Sequence, residues 1–527
     1  MSDNRRIARD AGVVMLLILL SRLLGFVRER AIADVFGLNW QTDAFRLAFL
    51  IPDLMYFLLI AGGLNAAFVP VFTEYLARDE EDEAWRLARA FFTLITALMV
   101  AMVVAGVVFA PHLTPLVAYS YQGEQRALLT QLIRYMFPAV FFTALAGLGM
   151  GVHRAYRSFT VPMWGPIAYN AAIIASTYTL GRTMGIVGMA YGTVAGAVIN
   201  FAVQLPFVVR KAQGRGRGRS LKHPGLAKVL RLMGPAVVSL SISQVNFMVV
   251  SNLASGLAPG SPTALRIAQT MVQLPLGVFA MAVGMVLLPT LSRLAATGAF
   301  AEFRSTFSQG LRAVFFITIP SAVGLAVLRV PLVRLLFETG EFTAQDTEMA
   351  AYALLFLSFG LWAQSAVQIL TQVYYSLQET RTLMRVSAVA IVVNVALSLG
   401  LLRFTRLEHG ALALALSLTS VANMVNYLVL LRRRIGRIDG GRLIRSVLLS
   451  GAAALLMGAA VHFTAAATAG WFDLGGSLGR LGHVLLAIGV GVGVYAGTAR
   501  LLRMDELAFA RQMVSRRGAP QPDRGAS

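Results

Sequence analysis

The chain has 527 residues, 57% hydrophobic and 13% charged, against about 25% charged in a soluble domain. That much apolar side chain exceeds what water-soluble cores, which stop growing at about 250–300 residues, can bury without polar linkers between domains, so the composition describes a polytopic membrane protein. There is no cysteine, which excludes a disulfide framework, a thiolate metal site and a cysteine nucleophile.

Apolar runs near the bilayer-crossing length of about 20 residues give fourteen predicted spans. The first, 11–36, follows Arg5, Arg6 and Arg9 as a signal peptide would. Arg22, Arg28, Glu29 and Arg30 interrupt it and no small-residue cleavage site follows, so it reads as a retained helix. The second, 44–76, carries Arg46 and Asp53, with Asp43 just before it, and the acidic run Glu80 to Glu83 after it reads as a solvated loop. Spans 88–118, 127–153, 160–181 and 185–209 follow, then a basic stretch around Gly214–Lys222. Beyond it come 226–254, 264–292, 308–337, 347–378, 384–404 and 409–431, and finally 443–468 and 478–502 before a polar tail.

The net charge is +21, from 46 Lys and Arg against 25 Asp and Glu. Placing the N-terminus inside and alternating puts most of the basic residues, including the stretch from Arg210 to Arg231 and that from Arg432 to Arg445, on the cytoplasmic side. The positive-inside rule therefore accounts for the charge without nucleic acid, and the Gly214–Lys222 stretch reads as a cytoplasmic linker touching anionic lipid. An even number of spans places both termini in the cytoplasm. The resulting domains are an N-terminal lobe (1–209), a basic linker (210–225), a C-terminal lobe (226–431), two further helices (432–503) and a tail (504–527).

The lobes share local patterns. Ala44-Phe45-Arg46-Leu47-Ala48 leads to Pro70, as Ala264-Leu265-Arg266-Ile267-Ala268 leads to Pro289; Arg157 with Asn170 echoes Arg381 with Asn394. Duplicated lobes are the usual build of secondary transporters. The offset of six helices between the echoes predicts lobes related by an axis along the membrane normal.

A charge at the bilayer centre costs about 2.5–3.5 kcal/mol on insertion scales, so the charges of the first two spans need a reason. At helical spacing Arg22 and Glu29 share a face, as do Asp43 with Arg46 and Arg46 with Asp53. Mutual neutralisation and snorkelling at helix ends answer for some of them, while Arg22 and Arg28 leave a basic surplus. Arg266 has no carboxylate on its own span. Surplus arginine facing a cavity suits an anionic substrate, because a guanidinium grips phosphate bidentately. Catalysis finds little support: the six histidines show no metal-ligand spacing, Glu338 and Glu341 form one acidic pair in a loop, and no Walker lysine is present. Gly489-x-Gly491-x-Gly493 has no strand before it and reads as close helix packing.

The chain resembles the lipid II flippases (MurJ, or MviN-like) of the multidrug/oligosaccharidyl-lipid/polysaccharide exporter superfamily. The resemblance rests on the order and spacing of SRLLGFVRE (Ser21–Glu29), TDAFRLAFLIPDL (Thr42–Leu54), AAFVPVF (Ala66–Phe72), QLPLGVF (Gln273–Phe279), LLPTLS (Leu287–Ser292), LFETGEFTAQDT (Leu336–Thr347) and YSLQETRT (Tyr375–Thr382). It implies an all-α protein of about fourteen transmembrane helices in two lobes around a central cationic cavity. It also implies alternating access that carries undecaprenyl-pyrophosphate-linked disaccharide-pentapeptide to the outer leaflet of the bacterial inner membrane, with the last two helices forming a groove for the lipid tail. The family's functional arginines of helix 1 match Arg22 and Arg28, and its helix 2 aspartate matches Asp43. Tyr56 and Phe57 stand where many relatives have a basic pair, and Thr270 where relatives have arginine; Arg46 and Arg266 are the candidates to replace them in substrate binding. Some relatives bind sodium through a carboxylate in the C-terminal lobe, whereas Asn394 to Ser398 offers neutral oxygen only. The expectation is a transporter without catalytic site, cofactor or metal, coupled to the membrane potential or to a monovalent ion.

Three rival readings are separable. A drug/cation antiporter of the same superfamily would want cavity carboxylates. A flippase for another lipid-linked oligosaccharide would use the same arginine chemistry. A membrane glycosyltransferase would need Glu338 or Glu341.

Overall fold

The computed structural model describes residues 2–57, 64–216, 223–436 and 438–507, and among them there is helix and no strand. The helices are α1 (Ser2–Phe36), α2 (Trp40–Ala48), α3 (Leu50–Tyr56), α4 (Val69–Ala77), α5 (Glu81–Val108), α6 (Ala110–Val117), α7 (Gly123–Ala155), α8 (Thr160–Tyr178), α9 (Leu180–Met184) and α10 (Ile186–Ala212). After the basic linker come α11 (Pro224–Ser255), α12 (Ser261–Pro275), α13 (Met281–Ala296), α14 (Phe300–Val327), α15 (Arg329–Phe337), α16 (Ala344–Ser376), α17 (Thr380–Phe404), α18 (His409–Ile435), α19 (Gly440–Thr468) and α20 (Ser477–Leu501). Short π-helical turns at Leu64–Phe68 and Leu276–Ala280 precede α4 and α13.

Among the described residues each of the fourteen predicted spans carries helix, but they are not fourteen uninterrupted rods. Nine helices among the described residues are long and apolar enough to cross a membrane, or ten if the segments Ser261–Ala280 and Val283–Ala296, bent by 42°, form one span. The second span is divided: Pro52 has no N–H to give the carbonyl four residues before it, and α2 ends at Ala48. Pro111 likewise follows the break between α5 and α6, and Pro331 the break between α14 and α15.

The chain divides into two compact units, one of residues 1–264 with 337–346, the other of 265–336 with 347–527. In the first, α7 packs on α10, α5 and α2, and α8 packs on α1 and α10. Its core includes Phe68, Phe72, Phe91 and Trp85, with the Phe68 and Phe91 rings stacked 4.9 Å apart. In the second, α14 packs on α13 and α19, α19 on α20, and α17 on α18. There Gly360 of α16 lies so close to Ser417 of α18 that a Cβ would meet its Cα at 2.6 Å, and the Ser417 hydroxyl donates to the Phe356 carbonyl at 2.6 Å.

The repeat heard in the sequence is carried by element lengths. Helices α5 and α14 both have 28 residues, α7 and α16 both have 33, and α10 and α18 both have 27. Left-handed residues punctuate both copies at matching places: Asp79 and Gly298 before the 28-residue helices, Arg157 and Gln378 after the 33-residue ones, Gly185 and Glu408 before the 27-residue ones. Helix α11, read from the sequence as the start of the second lobe, groups with the first unit.

Candidate functional site

Three helices of the first unit bring charge together. Glu29 on α1 is 4% exposed and uses both carboxylate oxygens: Oε1 accepts from Arg28 Nη2 at 2.8 Å, and Oε2 meets Arg46 Nη1 of α2 at 2.7 Å. The first is a charge-assisted hydrogen bond and the second an ion pair. The other arm of the Arg28 fork, Nη1, donates to Asn170 Oδ1 on α8 at 3.1 Å, and Asn170 is held in turn through Nδ2 on the Pro166 carbonyl at 3.0 Å. Asp53 and the Tyr169 phenol lie within Coulombic range of Arg28.

Arg46 is only partly provided for. Its side chain is 13% exposed, and Nε and Nη2 are buried with no hydrogen-bond partner among the described residues. Buried donors are nearly always paired, and leaving one unpaired costs about 1–3 kcal/mol. Glu29 thus serves two guanidiniums, Asp53 adds a second carboxylate within Coulombic range of Arg28, and the free donors of the cluster are those of Arg46. Arg22 lies on α1 about 9 Å before Arg28 along the helix axis at 1.5 Å per residue, and its side chain is exposed.

Asp43 lies within Coulombic range of Arg46 but spends its hydrogen bonds elsewhere. It is 1% exposed and caps the start of α12 from across the unit. Its Oδ2 accepts the Gly260 N–H at 2.6 Å, and its Oδ1 accepts both the N–H and the hydroxyl of Thr263, at 3.0 and 2.6 Å. The first turn of a helix leaves N–H groups without intrahelical partners. Here Ser261 N–H finds the Ala258 carbonyl, Pro262 has none to place, and Thr263 N–H finds Asp43. Arg266 lies one turn further on, exposed, with its carbonyl taking the Thr270 hydroxyl at 2.9 Å; it belongs to the second unit.

The loop carrying Glu338 and Glu341 groups with the first unit and docks on the end of α1. Glu341 N–H donates to the Asp34 carbonyl at 2.8 Å. Gly37 and Gly340 both adopt left-handed φ, at 62° and 57°; a Cβ on Gly37 would meet the Glu341 carbonyl oxygen at 2.6 Å, and one on Gly340 would meet Asp34. Backbone docking of this kind gives the LFETGEF string a structural role.

The sequence profile of the family described as Lipid II flippase MurJ matches residues 32–481. The chain belongs to that family. It is 31% identical to the lipid II flippase MurJ of Burkholderia cenocepacia over 449 residues, 84% of this chain and 87% of that one. It is 32% identical to a probable lipid II flippase MurJ of Vibrio cholerae over 433 residues, 80% and 82% of the two chains. Its fold matches a lipid II flippase MurJ solved in an inward closed conformation, with a TM-score of 0.78 at 22% identity, over 93% of this chain and 99% of that one. An inward-facing transporter of the multidrug resistance MATE family, of the MOP superfamily, matches with a TM-score of 0.66 at 16% identity over 81% and 99%.

Against the family pattern, Tyr56 and Phe57 pack edge to face with centroids 5.8 Å apart, an apolar pair at the place of a basic one. Arg46, by contrast, sits in the charge cluster. In the second unit Asn394 is buried and donates through Nδ2 to the Thr419 hydroxyl at 3.2 Å, while Asn394 Oδ1 and Ser398 Oγ are buried without a partner among the described residues. These are neutral oxygens, with no carboxylate among them.

Two residues of the cluster escaped the sequence reading. Glu29 was placed on the Arg22 face, but its bond to Arg46 joins different helices; Asn170 appeared only as a repeat marker. The acidic run is a correction, since it is not simply solvated: Glu81 Oε2 pairs with Arg215 Nε at 3.1 Å, Asp82 accepts the Gly216 N–H at 3.2 Å and Glu83 meets His223 at 3.1 Å. The basic linker is thereby clasped at both ends by protein; residues 217–222, where its lipid contact was expected, lie outside the described residues. Tyr156 completes the clasp, donating to Glu81 at 2.5 Å and accepting from Trp85 Nε1 at 3.0 Å. Burial and the Glu81 carboxylate push its phenol up, so it stays a donor.

Proposed function

We propose that this chain moves lipid II from the cytoplasmic to the outer leaflet of the inner membrane by alternating access, and that Arg28 and Arg46, with Arg22 and Arg266, hold its pyrophosphate. The observation that carries the reading is the buried Arg28–Glu29–Arg46 cluster with its unused Arg46 donors. A diphosphate must leave water to cross about 30 Å of hydrocarbon. Guanidiniums replace its hydration with charge-assisted hydrogen bonds, while the polyprenyl tail stays in lipid. Glu29 makes the grip an exchange: substrate oxygens take the bonds that its carboxylate gives up, and the carboxylate takes them back on release. Such chemistry needs no catalytic group, and the unused buried Arg46 donors favour an anionic cargo over a cationic drug.

An inside-negative potential acts on this charge with roughly 2.3 kcal/mol per elementary charge per 100 mV. It draws the emptied cationic site toward the cytoplasm, which returns the carrier for another cycle; unchanged transport after collapse of the potential would exclude this coupling. Both termini lie in the cytoplasm in this reading, as the basic segments require.

The test is outer-leaflet exposure of lipid II in bacteria depleted of their own flippase and supplied with this chain. Arg22→Ala, Arg28→Ala, Arg46→Ala and Arg266→Ala variants, matched for membrane abundance, run beside it. Restored exposure that the Arg22 and Arg28 variants lose supports the grip. Exposure left intact by both Arg46→Ala and Arg266→Ala overturns their assignment as replacements for the family's missing basic residues. Failure of the folded, inserted wild type to restore exposure would point to another lipid-linked saccharide.

A further inference from the structure

Helix α6 carries Pro111 and Pro115. A proline has no N–H, so each strands the carbonyl four residues before it: Pro111 strands that of Val107, and Pro115 strands that of Pro111. Both are taken by arginines of the facing helix α7. Arg134 Nε donates to the Val107 carbonyl at 3.2 Å and Arg126 Nη2 to the Pro111 carbonyl at 3.3 Å. Arg126, Thr130 and Arg134 follow one another at i, i+4 and i+8, a single stripe of the helix. Thr130 is itself fixed, donating to the Arg126 carbonyl at 2.7 Å and lying 2.9 Å from the Thr114 hydroxyl.

Each guanidinium has five N–H donors and uses one on a stranded carbonyl. Neither has a carboxylate partner among the described residues. Together with Thr130, Gln131, Tyr135 and Pro111 they line a cavity of about 530 Å³. Beside it Val104, Val108, Phe109 and Leu116 are exposed, and the Tyr135 ring lies 5.1 Å from that of Tyr191. Arginine held against a helix cannot snorkel freely; Arg134 lies within the predicted span 127–153, where a charge is costly without a counter-anion, and Arg126 stands at its edge. Basic pockets between transmembrane helices bind anionic lipid headgroups on the cytoplasmic side, and the same charge chemistry applies at the outer side, where the predicted topology puts this pocket. Apolar surface on the same patch selects an amphiphile over a soluble anion.

We propose that this cavity binds the phosphate of an anionic glycerophospholipid, whose acyl chains lie along Val104, Val108 and Phe109. The site is separate from the Arg28–Glu29–Arg46 cluster and does not depend on the transport reading.

The experiment uses the purified full chain in neutral detergent, with bound lipid counted by native mass spectrometry. Phosphatidylglycerol, phosphatidylethanolamine and inorganic phosphate are the probes. The test variant is Arg126→Gln with Arg134→Gln, because glutamine keeps a donor for each stranded carbonyl and loses the charge. The expected result is phosphatidylglycerol retention at least tenfold weaker in the double variant, with an unchanged lipid-free melting temperature. Retention should be normal in Arg28→Ala, and wild-type binding of phosphatidylethanolamine weak. Equal retention in wild type and double variant, equal binding of the two lipids, or saturation by inorganic phosphate without a lipid preference would each overturn the proposal. If the double variant does not fold, adding Pro111→Ala and Pro115→Ala restores the missing N–H groups, and retention is read in that background against the proline variants alone.

Discussion

Asp43 separates a structural role from a transport role with one substitution. Its carboxylate, 1% exposed, accepts two backbone N–H groups and one hydroxyl. In Asp43→Ala the Thr263 hydroxyl can turn to another acceptor, but the N–H groups of Gly260 and Thr263 are fixed by the backbone. Each buried, unsatisfied N–H costs about 1–3 kcal/mol, so the substitution destabilises the first unit by about 2–6 kcal/mol. Asp43→Asn keeps one accepting oxygen and should cost about half as much. Thr263→Ala removes only the hydroxyl bond, worth about 1 kcal/mol. Because the two side chains share that bond, the double variant should fall short of the sum of the singles by a measurable coupling energy. The assay is thermal unfolding of the detergent-purified chain, followed by its intrinsic fluorescence, beside lipid II exposure in cells. Asp43→Ala should melt several degrees lower and reach the membrane in reduced amount, with transport falling in step with abundance. An Asp43→Ala protein that melts with the wild type yet no longer exposes lipid II would refute the capping argument and return Asp43 to the substrate.

Glu29→Gln removes the counter-charge shared by two arginines, and breaking a buried pair in this way costs about 3–5 kcal/mol; added lipid II should then raise the melting temperature of the variant more than that of the wild type, since the ligand supplies the missing anion. Gly340→Ala puts a side chain at φ 57° and against Asp34, so membrane abundance should fall, whereas Glu341→Gln, which leaves the backbone bond to Asp34 in place, should transport normally. Tyr156→Phe loses the bonds to Glu81 and Trp85, about 1–3 kcal/mol, and protease cleavage within the basic linker should quicken while lipid II exposure persists.

Periodicity and hydropathy located the helices, because burial in lipid imposes the same apolar length on each. They were blind to the breaks, since a proline signals a lost N–H but not whether a neighbour supplies the carbonyl's missing donor, as Arg134 does for Val107. The charges of α1 and α2 needed a reason because of their cost, and Arg28 and Arg46 both reach Glu29. Their meeting point, Glu29, was hidden because helical spacing relates residues on one helix and this pair joins two. The same limit applies to Asp43, whose spacing suggested Arg46 and whose bonds run instead to Gly260 and Thr263, more than two hundred residues on. In the acidic run Glu81 to Glu83, composition predicted solvation; a basic linker returning from α10 supplied partners that no local window contains.

In the proposed reading the cluster would be a site for an anion, and its geometry bears on why the Glu29 carboxylate is kept there. Two guanidiniums alone would bind a diphosphate more strongly, but each bare charge raises the cost of burial by about 2.5–3.5 kcal/mol, and a grip that strong would be slow to release. Glu29 lowers both quantities at once. It neutralises one of the two charges in the empty state and competes for the same Nη donors in the loaded state, so net binding is the difference between two charge-assisted interactions of similar length and kind. Arg46 tilts that difference toward the substrate, because its Nε and Nη2 find no partner among the described residues when Glu29 is bound and gain partners when a phosphate with several oxygens arrives. A flippase needs this balance, enough to take the headgroup out of water and little enough to return it on the other side.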